Sequence, residues 1–588
     1  MEIKSNQLIP IEDNFRVSAG PGAGKTYWLI NHIKNVLCNS KRLQKSRKIA
    51  CITYTNVAVN TINERLGNFS EQVEVSTIHS FLYFNVIKPY VYFIADEYGL
   101  SFYEIDGHQD ISVNSYKVQQ WIESHPKKNR FKHPFSEKQL SRLPNNKKAI
   151  INWIKTMKYK FNKEGELIIF CDNSKAIYID ENGEENRIKG NILNLLGEGL
   201  FEYKKLYWQE GILDHEDILF FSYQLLKRYP FILKILNAKY PYFFIDEFQD
   251  TNPIQVEIIS MIAQEETIVG IIGDKAQSIY GFQGADCQQF DSFELEGIKN
   301  YEILGNRRST NKIIDVLNSV RKDFIQDNIR NKEGDKPVII IGDKITAIRK
   351  YSTEKLVTLS RTNITVNKIR EELQDTNFDN NFIENFKSND NNSSRRNTII
   401  NTIAAVETAR NQNFKDALKI LDKIDFLKKN DKNKLSYLKL LLDGYNEYSN
   451  GYLKDLHQYI NDKLYGNLSK VTTGKPKKFY ESKKYKELAI CINSTNQESN
   501  NKTIHQSKGD EFDNVMLIKE DGNLDFLINP DLVNNEEHRI YYVAMSRAKE
   551  KLFINIPFLE NCQNLNELED LFEIEYLGEQ KVIQIKID

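Results

Sequence analysis

The chain has 588 residues, too many for one hydrophobic core and enough for about four domains. Its 80 Lys and Arg balance 81 Asp and Glu, so net charge marks no nucleic-acid surface, and any such surface has to come from local clustering. The six cysteines stand far apart without a C-x-x-C pair, which argues against a zinc site, an iron–sulfur cluster or a disulfide framework. The first residues lack the build of a signal peptide and no apolar run is long enough to cross a bilayer, so a soluble, cytoplasmic protein without membrane association is expected.

In chain order, residues 15–18 read as a strand that runs into Ser18-Ala19-Gly20-Pro21-Gly22-Ala23-Gly24-Lys25-Thr26 and then an apolar helical pattern. This is a phosphate-binding loop. Its glycines let successive N–H groups and the positive end of the following helix face the phosphates of a nucleoside triphosphate. Lys25 would reach the terminal phosphates and the Thr26 hydroxyl would hold Mg2+. Further strand-like runs at 48–53, 242–245, 267–272, 356–359 and 515–518 alternate with helical patterns, the signature of parallel sheets flanked by helices. Two stretches interrupt that alternation and read as mostly helical insertions, 81–204 and 375–500; the second opens on an Asn/Asp/Ser-rich piece, 388–397, read as an exposed loop. The resulting division is a first sheet domain of 1–80 plus 205–300 and a second of 301–374 plus 501–588.

The apolar run Tyr242-Phe243-Phe244-Ile245 ends in Asp246-Glu247-Phe248-Gln249-Asp250. Two adjacent carboxylates at the end of a buried strand suit nucleotide hydrolysis, with Asp246 in the Mg2+ shell and Glu247 orienting or deprotonating the attacking water. Basic stretches in the insertions, Lys127 to Lys132, 155–163 with Trp153, Tyr159 and Phe161, and 475–486 with Phe479, Tyr480 and Tyr485, are either nucleic-acid grips or solvated helical faces.

With these residues in view the chain resembles the UvrD/Rep helicases of superfamily 1A. Asp246 to Asn252 and Gly273-Asp274-Lys275-Ala276-Gln277-Ser278-Ile279-Tyr280-Gly281-Phe282-Gln283-Gly284-Ala285 are similar to motifs II and III. Cys51-Ile52-Thr53-Tyr54-Thr55-Asn56 resembles motif Ia, Ser76-Thr77-Ile78-His79-Ser80-Phe81 motif Ib, and Leu304-Gly305-Asn306-Arg307-Arg308-Ser309-Thr310 motif IV. Thr503-Ile504-His505-Gln506-Ser507-Lys508-Gly509-Asp510-Glu511-Phe512 resembles motif V, and the string from Glu537 through Arg547 to Lys549 motif VI. The order is the family's, and Ala19 at the head of the loop is normal there.

The resemblance implies an α/β fold of two RecA-like parallel-sheet motor domains, each interrupted by a mostly helical insertion. It implies ATP and Mg2+ as cofactors, with Gln7 reading adenine, Gln277 sensing the terminal phosphate, and Arg308 and Arg547 as arginine fingers supplied from the second sheet. Glu511 would hydrogen-bond the ribose, and Gly509 would also lie at the nucleotide. Tyr54, Thr55, Asn56, His79, Phe282, Thr503 and His505 would lie along single-stranded DNA, with tailed or forked duplex as substrate, 3′ to 5′ movement, and a role in DNA repair or anti-phage defence. Two departures stand out. Phe282-Gln283 replaces Trp-Arg, removing a cation that links ATP to DNA, and Arg307 replaces a tyrosine that stacks on adenine, which would loosen nucleotide choice. The short second insertion resembles the compact helicase subunits of bacterial anti-phage systems such as Gabija, which act beside a separately encoded nuclease. Residues 560–588 hold no cysteine cluster or further carboxylate motif, so no nuclease activity is expected of this stretch. A DNA-sensing ATPase subunit that regulates such a nuclease without unwinding alone is the alternative reading.

Overall fold

The computed structural model describes residues 1–578 except 109–112, 129–143, 180–183, 265, 282–283, 353–354, 375–381, 411–413, 425–426, 428–430, 465–467, 494–499 and 561–567. The chain divides into two compact units, Met1–Arg307 and Arg308–Asp588.

In the first unit, strands β1 (Phe15–Ala19), β2 (Ile49–Thr53), β3 (Val73–Thr77), β4 (Tyr242–Ile245), β5 (Ile268–Gly273) and β6 (Lys299–Ile303) form one six-stranded sheet in the order β6-β1-β5-β4-β2-β3. All pairings are parallel. The central strands β2, β4 and β5 are buried at every position, which is why they read as unbroken apolar runs. Side chains alternate between faces. Tyr242 and Phe244 join Phe15, Val17, Trp28 and Leu29 in one core, while Phe243 and Ile245 join Phe81, Leu82 and Phe221 in another.

Gly270 of β5 lies opposite both Phe15 and Phe244. A Cβ there would stand 2.1 Å from Phe15 Cζ, so the absence of a side chain is what lets that ring pack across the sheet. His32, on the helix Lys25–Asn39, completes this packing. It stacks on Trp28 at 5.1 Å and meets Phe15 at 5.0 Å and Phe244 at 5.3 Å.

Between β3 and β4 the chain leaves the sheet. The helices Ser115–Ser124, Pro144–Ile154, Gly190–Gly197 and Leu200–Trp208 enclose a separate core of Trp121, Trp153, Leu196, Tyr203 and Tyr207. Two antiparallel hairpins, Lys158–Phe161 with Leu167–Phe170 and Ile177–Ile179 with Glu185–Arg187, are added to the helices. The aromatic rings of the 155–163 stretch face inward. Trp153 and Tyr159 are buried, their polar atoms taken by Asn173 Oδ1 at 2.9 Å and Asp217 Oδ1 at 3.0 Å, so neither offers a face for a base. Lys127 pairs with Glu198, and the rest of that basic string from Asn129 on lies outside the described residues.

The second unit repeats the plan. Strands β7 (Val338–Ile341), β8 (Leu356–Ser360), β9 (Asn501–Thr503), β10 (Phe512–Ile518), β11 (Ala548–Ile556) and β12 (Glu573–Tyr576) form a six-stranded parallel sheet in the order β9-β8-β10-β11-β7-β12. Between β8 and β9 stand helices with their own core, including Phe386, Ile403, Leu441, Tyr448, Leu456 and Tyr485. Phe479, Tyr480 and Tyr485 belong to this core, so the 475–486 stretch also keeps its rings inside.

The expected exposed loop at 388–397 is corrected by the structure. Helix Phe382–Asn389 and helix Ser393–Arg410 almost meet there. Asn392 Oδ1 accepts from the Arg395 N–H at 2.9 Å, a helix cap, and the buried Asp390 carboxylate pairs with Arg395 at 2.5 Å and accepts from Tyr480 at 2.9 Å. The polar string ends one helix and begins the next, with its charge neutralised inside.

His32 is 1% exposed, and neither of its ring nitrogens has a hydrogen-bond partner among the described residues. Burial holds its pKa down, from 6.5 to about 4. The unfolded chain therefore takes up this proton first as pH falls. The stability tied to the neutral ring is complete above about pH 6.5 and is lost between there and about pH 4, up to ~3 kcal/mol. Thermal melting of His32→Phe against the parent should show the variant gaining relative stability from pH 7 to pH 4.5. A constant difference across that range would contradict the assignment.

Candidate active site

The carboxyl ends of β1, β5 and β4 lie along one edge of the first sheet, and the polar chemistry of the unit collects there. After β1, Gly22 and Gly24 take φ of 73° and 83°, a region open to glycine at little cost, and Gly24 caps the helix Lys25–Asn39 without any side-chain cap. The loop is closed by Ala23 N–H to Gly20 O at 3.2 Å and Trp28 N–H to Gly24 O at 2.9 Å. The first N–H groups of a 15-residue helix thus border a glycine-rich loop, an arrangement suited to phosphate oxygens.

Lys25 and Thr26 meet the end of β4. Lys25 Nζ lies 3.7 Å from Glu247 Oε2, and Thr26 Oγ1 lies 3.4 Å from Asp246 Oδ2, a residue 220 positions away in sequence. The Asp246 N–H continues the sheet by donating to Ile52 O at 2.8 Å. Glu247 then turns away with φ 55° and ψ 41°, a left-handed conformation that costs a residue with a side chain on the order of 1 kcal/mol or more. A single turn, Phe248–Asp250, follows.

Gln249 shows what holds that turn. It is fully buried, its Nε2 donates to Glu247 Oε2, and its Oε1 accepts from the Asp274 N–H at 3.0 Å. Ser278 Oγ donates to the Gln249 carbonyl at 2.9 Å, and Asp274 Oδ2 accepts from Gln277 Nε2 at 2.7 Å. A Cβ on Gly273 would stand 2.5 Å from Gln249 Oε1, so the glycine leaves room for this strut. Gln249 ties Glu247, Asp274 and Gln277 into one network. Sequence reading passed over it, although it sits inside the acidic string.

Burial and the neighbouring Glu247 push the Asp246 carboxyl up to about 7 against the opposing charge of Lys25. Two carboxylates beside one lysine, with a hydroxyl facing the buried member, form a hard oxygen donor set. That set fits Mg2+, which Thr26 and Asp246 would hold and whose charge would favour the ionised form of both acids.

Other expected residues of this unit fall as follows. Arg307 lies against the phosphate loop, its N–H donating to Gly22 O at 3.0 Å and its Nε to Ser5 Oγ at 2.9 Å. The exposed Gln7 anchors the same helix, its carbonyl accepting from Trp28 Nε1 at 3.0 Å. Tyr54 stacks on Tyr280 at 4.8 Å and 20°. Thr55 caps the helix Asn56–Leu66 by accepting from the Ala58 N–H at 3.2 Å, with Asn56 exposed. His79 packs 4.9 Å from His215 and 6.2 Å from His108, and burial with these two rings pushes its pKa down to about 3. Phe282 and Gln283 lie outside the described residues.

The second unit gathers its own cations at the ends of β9 and beside β11. Arg308 donates from Nε to Glu511 Oε2 at 2.9 Å and from Nη1 to Ser546 O at 2.9 Å. Arg547 is 2% exposed; its guanidinium donates to Val543 O at 3.1 Å, Asp510 O at 3.3 Å and Ser546 Oγ at 3.0 Å. Gly509, with φ 91°, turns the chain into this cluster. Glu511 also takes Lys549 Nζ at 2.7 Å; partial burial acts to raise its pKa, but Lys549 and Arg308 outweigh it and hold the carboxyl below its usual range. Thr503 ends β9 and pairs with Gln506, accepting its N–H at 3.2 Å, and His505 follows half-buried.

Comparison with known proteins identifies the family of both units. Residues 2–296 match the family model of the UvrD/REP helicase N-terminal domain, and residues 492–557 match that of the UvrD-like helicase C-terminal domain. The chain is 30% identical over 333 residues to Gabija protein GajB of Bacillus cereus (strain HuB5-5), covering 53% of this chain and 47% of that protein. It is 26% identical over 368 residues to a probable DNA helicase II homolog of Mycoplasma capricolum, covering 59% and 45%, and 25% identical over 313 residues to ATP-dependent DNA helicase PcrA of Bacillus subtilis (strain 168), covering 52% and 37%. In each case it spans less than half the length of the relative. The N-terminal model takes in the phosphate loop and the β4 carboxylates, the C-terminal model takes in Glu511 and Arg547, and the chain belongs to the UvrD/Rep-like helicases.

Proposed function

We propose that the chain is an ATP-dependent DNA translocase that moves on single-stranded DNA, 3′ to 5′, and separates tailed or forked duplex. The observation that carries this reading is the meeting of Lys25 and Thr26 with Glu247 and Asp246 at one sheet edge. Loop N–H groups and Lys25 receive the phosphates of ATP. Thr26 and Asp246 would hold Mg2+, which would neutralise charge on the phosphates. Glu247, steadied by Gln249, orients the attacking water and takes its proton, while Gln277 senses the terminal phosphate. Arg308 and Arg547 supply positive charge to the transferring phosphoryl group, a contribution of about a thousandfold or more in such sites. Tyr54, Thr55, Asn56, His79, Phe282, Thr503 and His505 are assigned to the DNA track, and 81–204 and 375–500 to the insertions of the two motor domains.

A second reading, a DNA-sensing ATPase subunit that regulates a separate nuclease in anti-phage defence, draws support from Gln283 in place of the cation that links ATP to DNA. The likeness to Gabija protein GajB fits that defence setting.

Hydrolysis of ATP by the purified chain should rise strongly with single-stranded DNA, and Lys25→Ala should abolish turnover. Turnover indifferent to DNA would contradict the translocase, and DNA-stimulated turnover that leaves a 3′-tailed duplex intact would favour the sensing subunit. Gln249→Ala should release Glu247 and lower kcat by roughly a hundredfold, the scale set by a small misplacement of a catalytic group, with KM for ATP little changed. A parent-like kcat would show that the strut has no part in hydrolysis.

A further inference from the structure

Arg308 and Arg547 reach the same cluster from segments more than two hundred residues apart, and a third arginine joins those segments. Arg330, just beyond the short extended stretch Asp327–Asn328, donates from Nη1 to the carbonyl of Arg308 at 2.8 Å and to the carbonyl of Lys549 at 3.2 Å. Its Nη2 donates to Glu550, whose other oxygen accepts from Lys332 Nζ at 2.7 Å. The Lys549 carbonyl also takes the Thr310 N–H at 3.0 Å, and Ser309 Oγ donates to Ala548 O at 2.7 Å. Arg330 therefore grips the backbone of Arg308 itself and the backbone two residues beyond Arg547. Glu511 bridges the Arg308 and Lys549 side chains in the same cluster.

We propose that Arg330, oriented by Glu550, is a positioning residue that sets the relative placement of Arg308 and Arg547 for phosphoryl transfer. This rests on the reading of those two arginines as fingers. A guanidinium suits the task because its rigid fork serves three acceptors at once and keeps its charge. A lysine offers a point charge without that geometry. Arg330 donates to backbone and to a carboxylate of its own unit, so it acts through the fingers.

The test is single-turnover ATP hydrolysis at saturating DNA with Arg330→Gln, Arg330→Lys and Glu550→Gln, each made in the parent chain and in Arg308→Ala. In the parent, Arg330→Gln should lower the hydrolysis rate at least tenfold with nucleotide affinity unchanged, and Arg330→Lys should restore only part of it. Glu550→Gln, a milder change, should give a smaller loss of the same kind. In the Arg308→Ala background the Arg330 and Glu550 changes should cost much less, because residues acting as one unit are not additive. Equal fold-losses in both backgrounds, full rescue by lysine, or a parent-like rate for Arg330→Gln would overturn the inference while leaving the fingers in place. A parent-like rate for Arg308→Ala would instead remove Arg308 as a finger and the proposed role of Arg330 with it.

Discussion

The first unit depends on the parallel register of β1, β5 and β4. Phe15 and Phe244 both lie opposite Gly270 with their rings 5.4 Å apart, and the Phe15 ring packs where a side chain on Gly270 would stand. That register brings the ends of three strands to one edge, so that Lys25, Asp274 and Asp246 emerge as neighbours from distant parts of the sequence. A one-residue slip would turn each apolar side chain to the other face, which two buried cores do not permit. Packing around one glycine therefore decides where the phosphate loop meets its carboxylates.

The chemistry at that edge depends on costs paid by the fold. Asp246 is buried and resists ionisation beside Glu247, and Glu247 sits in a backbone conformation unfavourable to it. Gln249 offsets part of this by holding the Glu247 carboxylate and the Asp274 N–H together. Electrostatic strain of this kind suits a site that is completed by a cation and a polyphosphate. The second unit solves the opposite problem, the placing of cations: Arg308 is held by the Glu511 carboxylate and a carbonyl, and Arg547 by two carbonyls and the Ser546 hydroxyl.

The sequence made the buried strands legible because parallel strands covered on both faces are unbroken apolar runs, as in 242–245 and 268–273. β3, Val73–Thr77, escaped because Glu74, Ser76 and Thr77 break its apolar pattern at the sheet edge. The 388–397 string was misread because a helix cap and a buried ion pair use the same residues as a solvated loop. The lysine-rich stretches 155–163 and 475–486, with their interleaved aromatics, read equally as nucleic-acid grips or solvated helical faces, and only burial shows that Tyr159, Phe479, Tyr480 and Tyr485 belong to cores. The motif strings named Lys25, Asp246 and Arg547 as candidates but passed over Gln249 and Arg330. Both act largely through backbone N–H or carbonyl groups of distant segments, which side-chain patterns do not record.

The most direct measurement is a crystal structure of the chain with Mn2+ and a non-hydrolysable ATP analogue, read by anomalous scattering. The account predicts one Mn2+ peak within coordination distance of Thr26 Oγ1, with Asp246 in its ligand shell and the triphosphate along the 20–24 loop. A nucleotide bound elsewhere, or a metal that touches neither Thr26 nor the Asp246 shell, would contradict it.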